Sequence, residues 1–214
     1  MIKELFFQYY FSLIKTKHII FYAFYPSKDY NSKILKICLF FYSFALFYFV
    51  NSLFFNDDAM HKIYEDEGIF NFIYFLPQMI YSSLISSIIN TIIKTLSLSE
   101  GEIIEIKREK SFAKAEKSLP RIKKKLIIKF ILFFIISILF LILFWYYLSC
   151  FGAIYKNSQL YVLKDTLISF SLSMIYPFIM YLFPGIFRIS ALRAEKHNRK
   201  LMYKFSSILE NILG

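Results

Sequence analysis

The chain has 214 residues, 57% of them hydrophobic and 21% aromatic, with only 5 Gly and 5 Pro. Average usage is about 7% Gly and about 5% Pro, so disordered, collagen-like and low-complexity classes are excluded. The formal charge of +11 is a balance that nucleic-acid binding could explain, and the placement of the bases decides whether it does.

The first 33 residues are amphiphilic. Leu5–Ile14 is uncharged, Lys15, Lys17 and His18 interrupt it, and Ile19–Tyr25 is apolar again. Ten residues are too few to cross a bilayer, and without a small-residue cleavage site a signal peptide is not expected. The segment 1–33 is expected to be a helix lying in the membrane interface with its lysines snorkelling to headgroups. Pro26, Ser27, Asp29 and Asn31 are expected to turn the chain into the first span.

Four blocks of the chain hold no charged residue: Ile37–Asn56, Gly68–Ile93, Phe130–Tyr155 and Thr166–Phe187. A hydrocarbon core about 30 Å thick takes about 20 helical residues, so each block can cross it. The expected fold is therefore all-α, an integral membrane protein with four transmembrane helices plus interfacial and cytosolic amphipathic helices. Its divisions are an interfacial segment 1–33, a first transmembrane hairpin 34–93, a basic cytosolic loop 94–129, a second hairpin 130–187 and a cytosolic tail 188–214. With both termini on one side, that side holds 23 of the 26 Lys and Arg residues, and the other keeps only Lys62, Lys156 and Lys164. Bases near span ends are retained in the cytosol, so N- and C-termini are expected inside. This placement explains the charge as topology, and no nucleic-acid partner is expected.

Between the first two spans, Asp57, Asp58, Glu65, Asp66 and Glu67 make a short acidic loop. Its spacing does not match an EF-hand, which favours a solvated loop over a calcium site. The second span contains Pro77, expected to kink it. Beyond it Ser83, Ser86, Ser87 and Asn90 share one face on a helical wheel. Small and polar residues mark close helix contacts in lipid, so this face is expected to be the helix-packing seam, with a polar substrate path as the sharper alternative.

In the basic loop Ser97 or Ser99 is a candidate cap, Glu100, Glu102 and Glu105 precede the bases as the helix dipole prefers, and Pro120 is expected to interrupt. Arg121, Lys123, Lys124, Lys125 and Lys129 then crowd the entrance to the third span. They either fix topology or contact anionic inner-leaflet lipid, which attracts such charges by about 1 kcal/mol each. Phe144, Trp145, Tyr146, Tyr147 and Phe151 read as an aromatic belt at the outer boundary. The fourth span carries Ser169 and Ser173, then Pro177, Pro184 and Gly185, which argue for a bent helix. In the tail, Leu192, Leu201, Met202, Phe205, Ile208 and Leu209 among bases read as an amphipathic helix for a membrane surface or a partner helix.

The chemistry of an enzyme is not legible. His18, His61 and His197 lie on separate segments, no hydrolase, metal or nucleotide motif appears, and the four blocks hold no ionisable group of the kind proton-coupled transport uses. No catalytic residue, cofactor or metal is expected. Cys38 and Cys150 fall at opposite depths, so a disulfide between them is not expected.

Several stretches carry a resemblance. They are Lys17-His18 with Phe24-Tyr25, Asn31-Ser32-Lys33-Ile34, Asn51-Ser52-Leu53-Phe54-Phe55, Leu76-Pro77-Gln78 and Tyr81-Ser82-Ser83-Leu84-Ile85-Ser86. Further along the chain come Leu96-Ser97-Leu98-Ser99-Glu100, Phe144 through Phe151, Tyr155-Lys156-Asn157-Ser158-Gln159, Tyr176-Pro177 and Pro184-Gly185-Ile186-Phe187-Arg188. Together they resemble the membrane region of large protist surface proteins, itself similar to the early spans of polycystin-1-like proteins that come after the PLAT domain. The resemblance implies a receptor-like or channel-associated protein of the plasma or ciliary membrane, working with calcium-permeable subunits. Relative to that family the chain is expected to be a truncated paralogue or the last part of a longer gene.

The function expected is that of a non-enzymatic multi-pass module that anchors or regulates a receptor or cation-channel complex. Its partners would be the bilayer, anionic inner-leaflet lipids and another membrane protein or a second copy. The alternative is a self-associating channel or transporter with a serine-lined path.

Overall fold

The computed structural model describes residues 2–26, 29–109, 111–193 and 196–212, without the side chains of 2–3, 193, 196–198 and 211–212. Ser27 and the His197 side chain therefore lie outside the described residues. Among those described the chain is helical, without strands. Four helices are long and apolar enough to cross a membrane: Lys33–Ser52, Phe72–Ser97, Phe112–Ile154 and the stretch Gln159–Leu192. The chain divides into two compact units, Lys28–Phe170 and the pair of segments Met1–Ser27 and Ser171–Gly214.

In the first unit the apolar blocks become α3 (Lys33–Ser52), α5 (Phe72–Ser97), α7 (Phe112–Ile154) and the first half of α8 (Gln159–Met180). Ahead of them lie α1 (Ile2–Lys17) and α2 (Ile19–Phe24) of the other unit. Half of the apolar stretch of α3 is buried against about a tenth of that of α7, so α3 is the centre and α5 and α7 pack on it and on each other. The α3 core positions Leu35, Leu39, Tyr42, Leu46 and Val50 keep the three-and-four spacing of one helix face. Aromatic pairs tie the neighbours in. Phe49 stacks on Phe144 of α7 at 4.4 Å, and Phe44 and Phe47 hold Phe170 of α8 at 5.1 and 5.4 Å, each pair worth about 0.5–1.5 kcal/mol beyond its burial. The outward stripe of α7 through Ile131, Ile135, Ile138 and Ile142 is half exposed or more, an apolar face that soluble monomers do not carry.

The acidic stretch is a helix rather than a bare loop, α4 (Asp57–Glu65). The Asn56 carboxamide accepts from the Ala59 N–H at 2.8 Å, and Asp57 and Asp58 sit in the first turn where the dipole favours anions. Its apolar side, Ala59, Met60 and Ile63, closes on Phe55, Phe75, Phe151 and Val162, while Asp57, Asp58, Glu65 and Glu67 stay exposed. The helix ends in a Schellman pair, Gly68 N–H to the Ile63 carbonyl and Glu67 N–H to that of Tyr64, the arrangement that puts the residue after the cap in the left-handed region. Here that residue is Glu67, with φ 49°, and next to it is Gly68 with φ 74°. A Cβ on Gly68 would stand 2.4 Å from the Tyr161 ring.

Two prolines lie inside their helices, and the interruption expected at Pro120 does not occur. α5 runs on through Pro77 and α7 through Pro120. Pro120 takes the partner from the Glu116 carbonyl, but Glu116 is exposed and solvent can satisfy it. The basic loop is thus α6 (Glu100–Arg108) and then the first part of α7, whose 43 residues make a rod about 64 Å long, twice a bilayer core.

In the second unit α8 ends at Met180, the chain turns at Tyr181, and α9 (Leu182–Arg193) begins. Pro184 falls in its first turn, where no helical N–H is lost. α1 packs on α9, and α10 (Lys196–Ile212) folds back along α9. Leu13 and Ile14 bury against Tyr181, with Tyr9, Tyr10, Phe21 and Phe178 around them. The ring of Phe6 lies where a Cβ on Gly185 would be, 2.7 Å away. The segment 2–26 is therefore two helices with a packed face, joined at His18, rather than the one helix expected.

Candidate functional site

Polar groups inside an apolar bundle are costly unless they bond one another, and the two clusters that do so locate the candidate site. The larger is centred on Asn51, 1% exposed near the C-terminal end of α3. Its Nδ2 donates to Thr166 Oγ1 of α8 at 3.1 Å. Its Oδ1 accepts from Gln78 Nε2 at 3.1 Å and Ser82 Oγ at 3.2 Å, both of α5. Gln78 Nε2 also reaches the Asn51 backbone carbonyl at 3.2 Å, one of the carbonyls that a helix end leaves without an internal partner. One carboxamide thus joins three of the four long apolar helices.

Two turns toward the other end of α3, Ser43 Oγ lies 2.8 Å from Asn90 Oδ1 and 2.7 Å from the Leu39 carbonyl. A hydroxyl has one proton for these two acceptors. With the Asn90 amide turned to donate, the Ser43 proton goes to Leu39 and both contacts are satisfied.

The four seam residues separate. Ser86 is buried with its hydroxyl unpartnered among the described residues and Asn90 is half-buried against Ser43 of α3, whereas Ser83 is half-buried and Ser87 exposed. The covered face of α5 is Phe75, Ser82, Ser86, Ile93 and Ser97, one residue away from a wheel centred on Ser83 and Ser87. Ser82, Asn51, Gln78 and Thr166 do not stand out from the sequence as site residues. Their signal is a carboxamide or hydroxyl at span depth that must find a partner, and one helix read alone cannot say which neighbour supplies it.

The basic cluster also separates. Arg121, Lys123 and Lys124 are exposed on α7. Lys129 instead donates to Glu102 Oε1 at 3.0 Å and to the Leu98 carbonyl, and Lys125 lies 3.4 Å from the same carboxylate. Burial raises the Glu102 carboxyl, but the hydrogen bonds and charge of Lys129 and Lys125 outweigh it and hold the group below its ordinary value. The α6 cap is likewise unlike the one expected. Ser99 stands at the cap position without capping through its side chain. Asn31 Oδ1 accepts from the Ser99 and Glu100 N–H groups at 2.9 and 3.1 Å, and Ser99 Oγ donates to the Tyr30 carbonyl at 2.8 Å. Asn31 Nδ2 in turn bonds Asp29, which pairs with the buried Lys36.

His18, 1% exposed, has Nε2 2.8 Å from the Met174 carbonyl. Burial lowers its pKa, with the Met174 bond opposing, so the neutral ring is favoured. Tyr10 OH donates to the Phe178 carbonyl at 3.0 Å, one turn along α8, around Pro177. His61 pairs at the surface with Glu65 at 3.1 Å.

An ionisable group does lie in the fourth apolar helix. That helix starts at Gln159, earlier than its uncharged block, and Asp165 is 6% exposed with Oδ2 unpartnered among the described residues. Of the aromatic belt, Trp145 and Tyr146 are exposed, while Phe144 and Phe151 are spent on the interior. Cys38 and Cys150 are free. Among the described residues no three His, Cys, Asp or Glu side chains gather as metal ligands.

No known protein family, curated protein or solved structure matches this chain.

Proposed function

We propose that the chain is a four-span, non-enzymatic membrane module that packs against helices of another membrane protein, with both termini in the cytosol. The observation that carries the reading is a row of small hydroxyl residues on α5, Ser83, Ser87, Thr91 and Thr95, at a strict four-residue spacing. Three of the four are exposed and Ser83 is half-covered. The Thr91 hydroxyl bonds back to the Ser87 carbonyl at 2.8 Å, and that of Thr95 to Ile92 at 2.6 Å, so neither leaves a free donor facing lipid. Small residues every fourth position let two helix backbones approach closely, and helix association in lipid rests on that packing.

The four long apolar helices support membrane residence, and the distribution of the bases supports the orientation. Exposed Arg121, Lys123 and Lys124 are free to meet anionic headgroups. The similarity to the polycystin-1-like membrane region supports a receptor or cation-channel complex as the assembly served, in the plasma or ciliary membrane. Against a conducting path within one chain, Asn51, Gln78, Ser82 and Thr166 are bonded to one another rather than aligned along an open path.

Co-purification in mild detergent and mass measurement of the particle test the reading. A particle containing a second membrane protein, lost in the Ser87→Leu/Thr91→Leu variant, is the expected result. A strictly monomeric particle overturns it. Cation flux through the purified chain alone in liposomes favours the self-associating channel instead.

A further inference from the structure

The unit that holds α9 and α10 carries a groove remote from both hydrogen-bonded clusters in sequence. It lies between α9 and α10, has a volume of about 500 Å³, and is lined by Ala191, Leu192, Arg199, Lys200, Tyr203, Lys204 and Ser207. One wall is apolar and comes from α9. The other is basic and hydroxylic and comes from α10, and among the described residues no acid lines it. Lys200 and Lys204 stand one turn apart and both are exposed. Tyr203 already accepts from Arg188 at 2.8 Å, which holds its ring at the groove wall.

The charge is not simply a solvated face, because of what adjoins it. α10 turns Met202, Ser206 and Leu209 toward its own unit, with Ser206 Oγ bonded to the Pro184 carbonyl at 2.9 Å. On the opposite side of the lysines it leaves Leu201, Phe205 and Ile208 exposed by 61%, 54% and 45%. These three recur at four- and three-residue intervals, a continuous apolar stripe beside the basic one. A helix with that pairing lies in a bilayer interface, apolar stripe among acyl chains and lysines at phosphate level.

We propose that the α9–α10 groove binds the phosphate headgroup of an anionic inner-leaflet phospholipid, held between Lys200 and Lys204, while Leu201, Phe205 and Ile208 enter the acyl region. The ligand is a lipid and not a soluble phosphate, because the apolar stripe continues beyond the groove where a free anion has nothing to contact. The site rests on the cytosolic placement of the tail for its choice of leaflet, but not for its chemistry, so lipid binding by purified protein and sidedness in cells fail separately.

The test uses the full chain in uncharged detergent and a fluorescent phosphatidylserine, with phosphatidylcholine of the same chain length as reference. Each lysine near an anionic surface is worth about fivefold in binding, so Lys200→Gln/Lys204→Gln together weaken phosphatidylserine roughly thirtyfold and leave phosphatidylcholine unchanged. Lys200→Arg/Lys204→Arg restores binding, which excludes misfolding as the cause. Excess inorganic phosphate leaves the bound lipid in place. Undiminished phosphatidylserine binding by the double glutamine variant, with loss on changing Arg121, Lys123 and Lys124 instead, overturns the proposal. So does full displacement by phosphate, which would mark a site for a soluble anion.

Discussion

Replacing Asn51 with leucine removes the side chain that links α3, α5 and α8 while nearly conserving volume. Three bonds are lost: Nδ2 to Thr166, and Oδ1 from Gln78 and Ser82. The bond from Gln78 to the Asn51 backbone carbonyl survives. Side-chain hydrogen bonds between membrane helices average about 0.6 kcal/mol, so three give about 2 kcal/mol. Ser82 and Thr166 can each turn to a carbonyl of their own helix, which keeps the orphaned hydroxyls from adding a large further penalty. The leucine itself gains nothing decisive, because the position is already enclosed and lipid offers no hydrophobic drive between helices. Equilibrium unfolding in mixed micelles, monitored by circular dichroism, measures the loss. Combining Asn51→Leu with Thr166→Val in a double-mutant cycle isolates one bond, with an expected coupling of about 0.6 kcal/mol. A neutral or stabilising Asn51→Leu, as expected of a side chain facing lipid, refutes the reasoning.

Other contacts carry outcomes of their own. Glu67→Gly at the end of α4 relieves a left-handed residue that costs roughly 1–2 kcal/mol, less the added freedom of glycine when unfolded, and should raise stability by about 0.5–1 kcal/mol. Gly68→Ala should lower it, because its positive φ and the Tyr161 ring both oppose a Cβ. Glu102 has a lowered pKa, so its stabilising pairing is complete above its ordinary value of 4.5 and is lost as pH falls through the lower folded value. An unfolding series across that range should show the decline, and Glu102→Gln should remove it. Burial lowers the pKa of His18 from its ordinary value of 6.5. Protonation of the unfolded chain therefore drains stability as pH falls from 6.5 toward the folded value, and His18→Gln should flatten that part of the profile.

The all-helical architecture was legible because its signal is local. Twenty or more uncharged residues have few ways to be satisfied outside a helix in lipid, and the first two blocks agree with α3 and α5 to within four residues, whereas α7 extends backward through Pro120 and the fourth block is offset by seven residues from α8 and broken at Tyr181. The interior assignments were less legible because they depend on pairs. The hydroxyls of α5 announce that two sides of the helix are polar, but only the packed neighbours, with Asn51 of α3 bonding Ser82, decide that Ser82 and Ser86 go inside while Ser87 stays out. Asn31 reads as a turn residue and becomes the cap of α6, because its partners are some seventy residues away. Lys129 reads as a lipid-facing base and is drawn to Glu102, a pairing that neither segment shows alone.

Sidedness is best measured with single cysteines introduced into a chain lacking Cys38 and Cys150. Asp58→Cys on α4 and Lys124→Cys on α7 are both at exposed positions, and a membrane-impermeant maleimide applied to intact cells distinguishes them. Labelling of the Asp58→Cys chain without permeabilisation, and of the Lys124→Cys chain only after it, is the result expected of four crossings with the bases inside. Labelling of the Lys124→Cys chain in intact cells would contradict it.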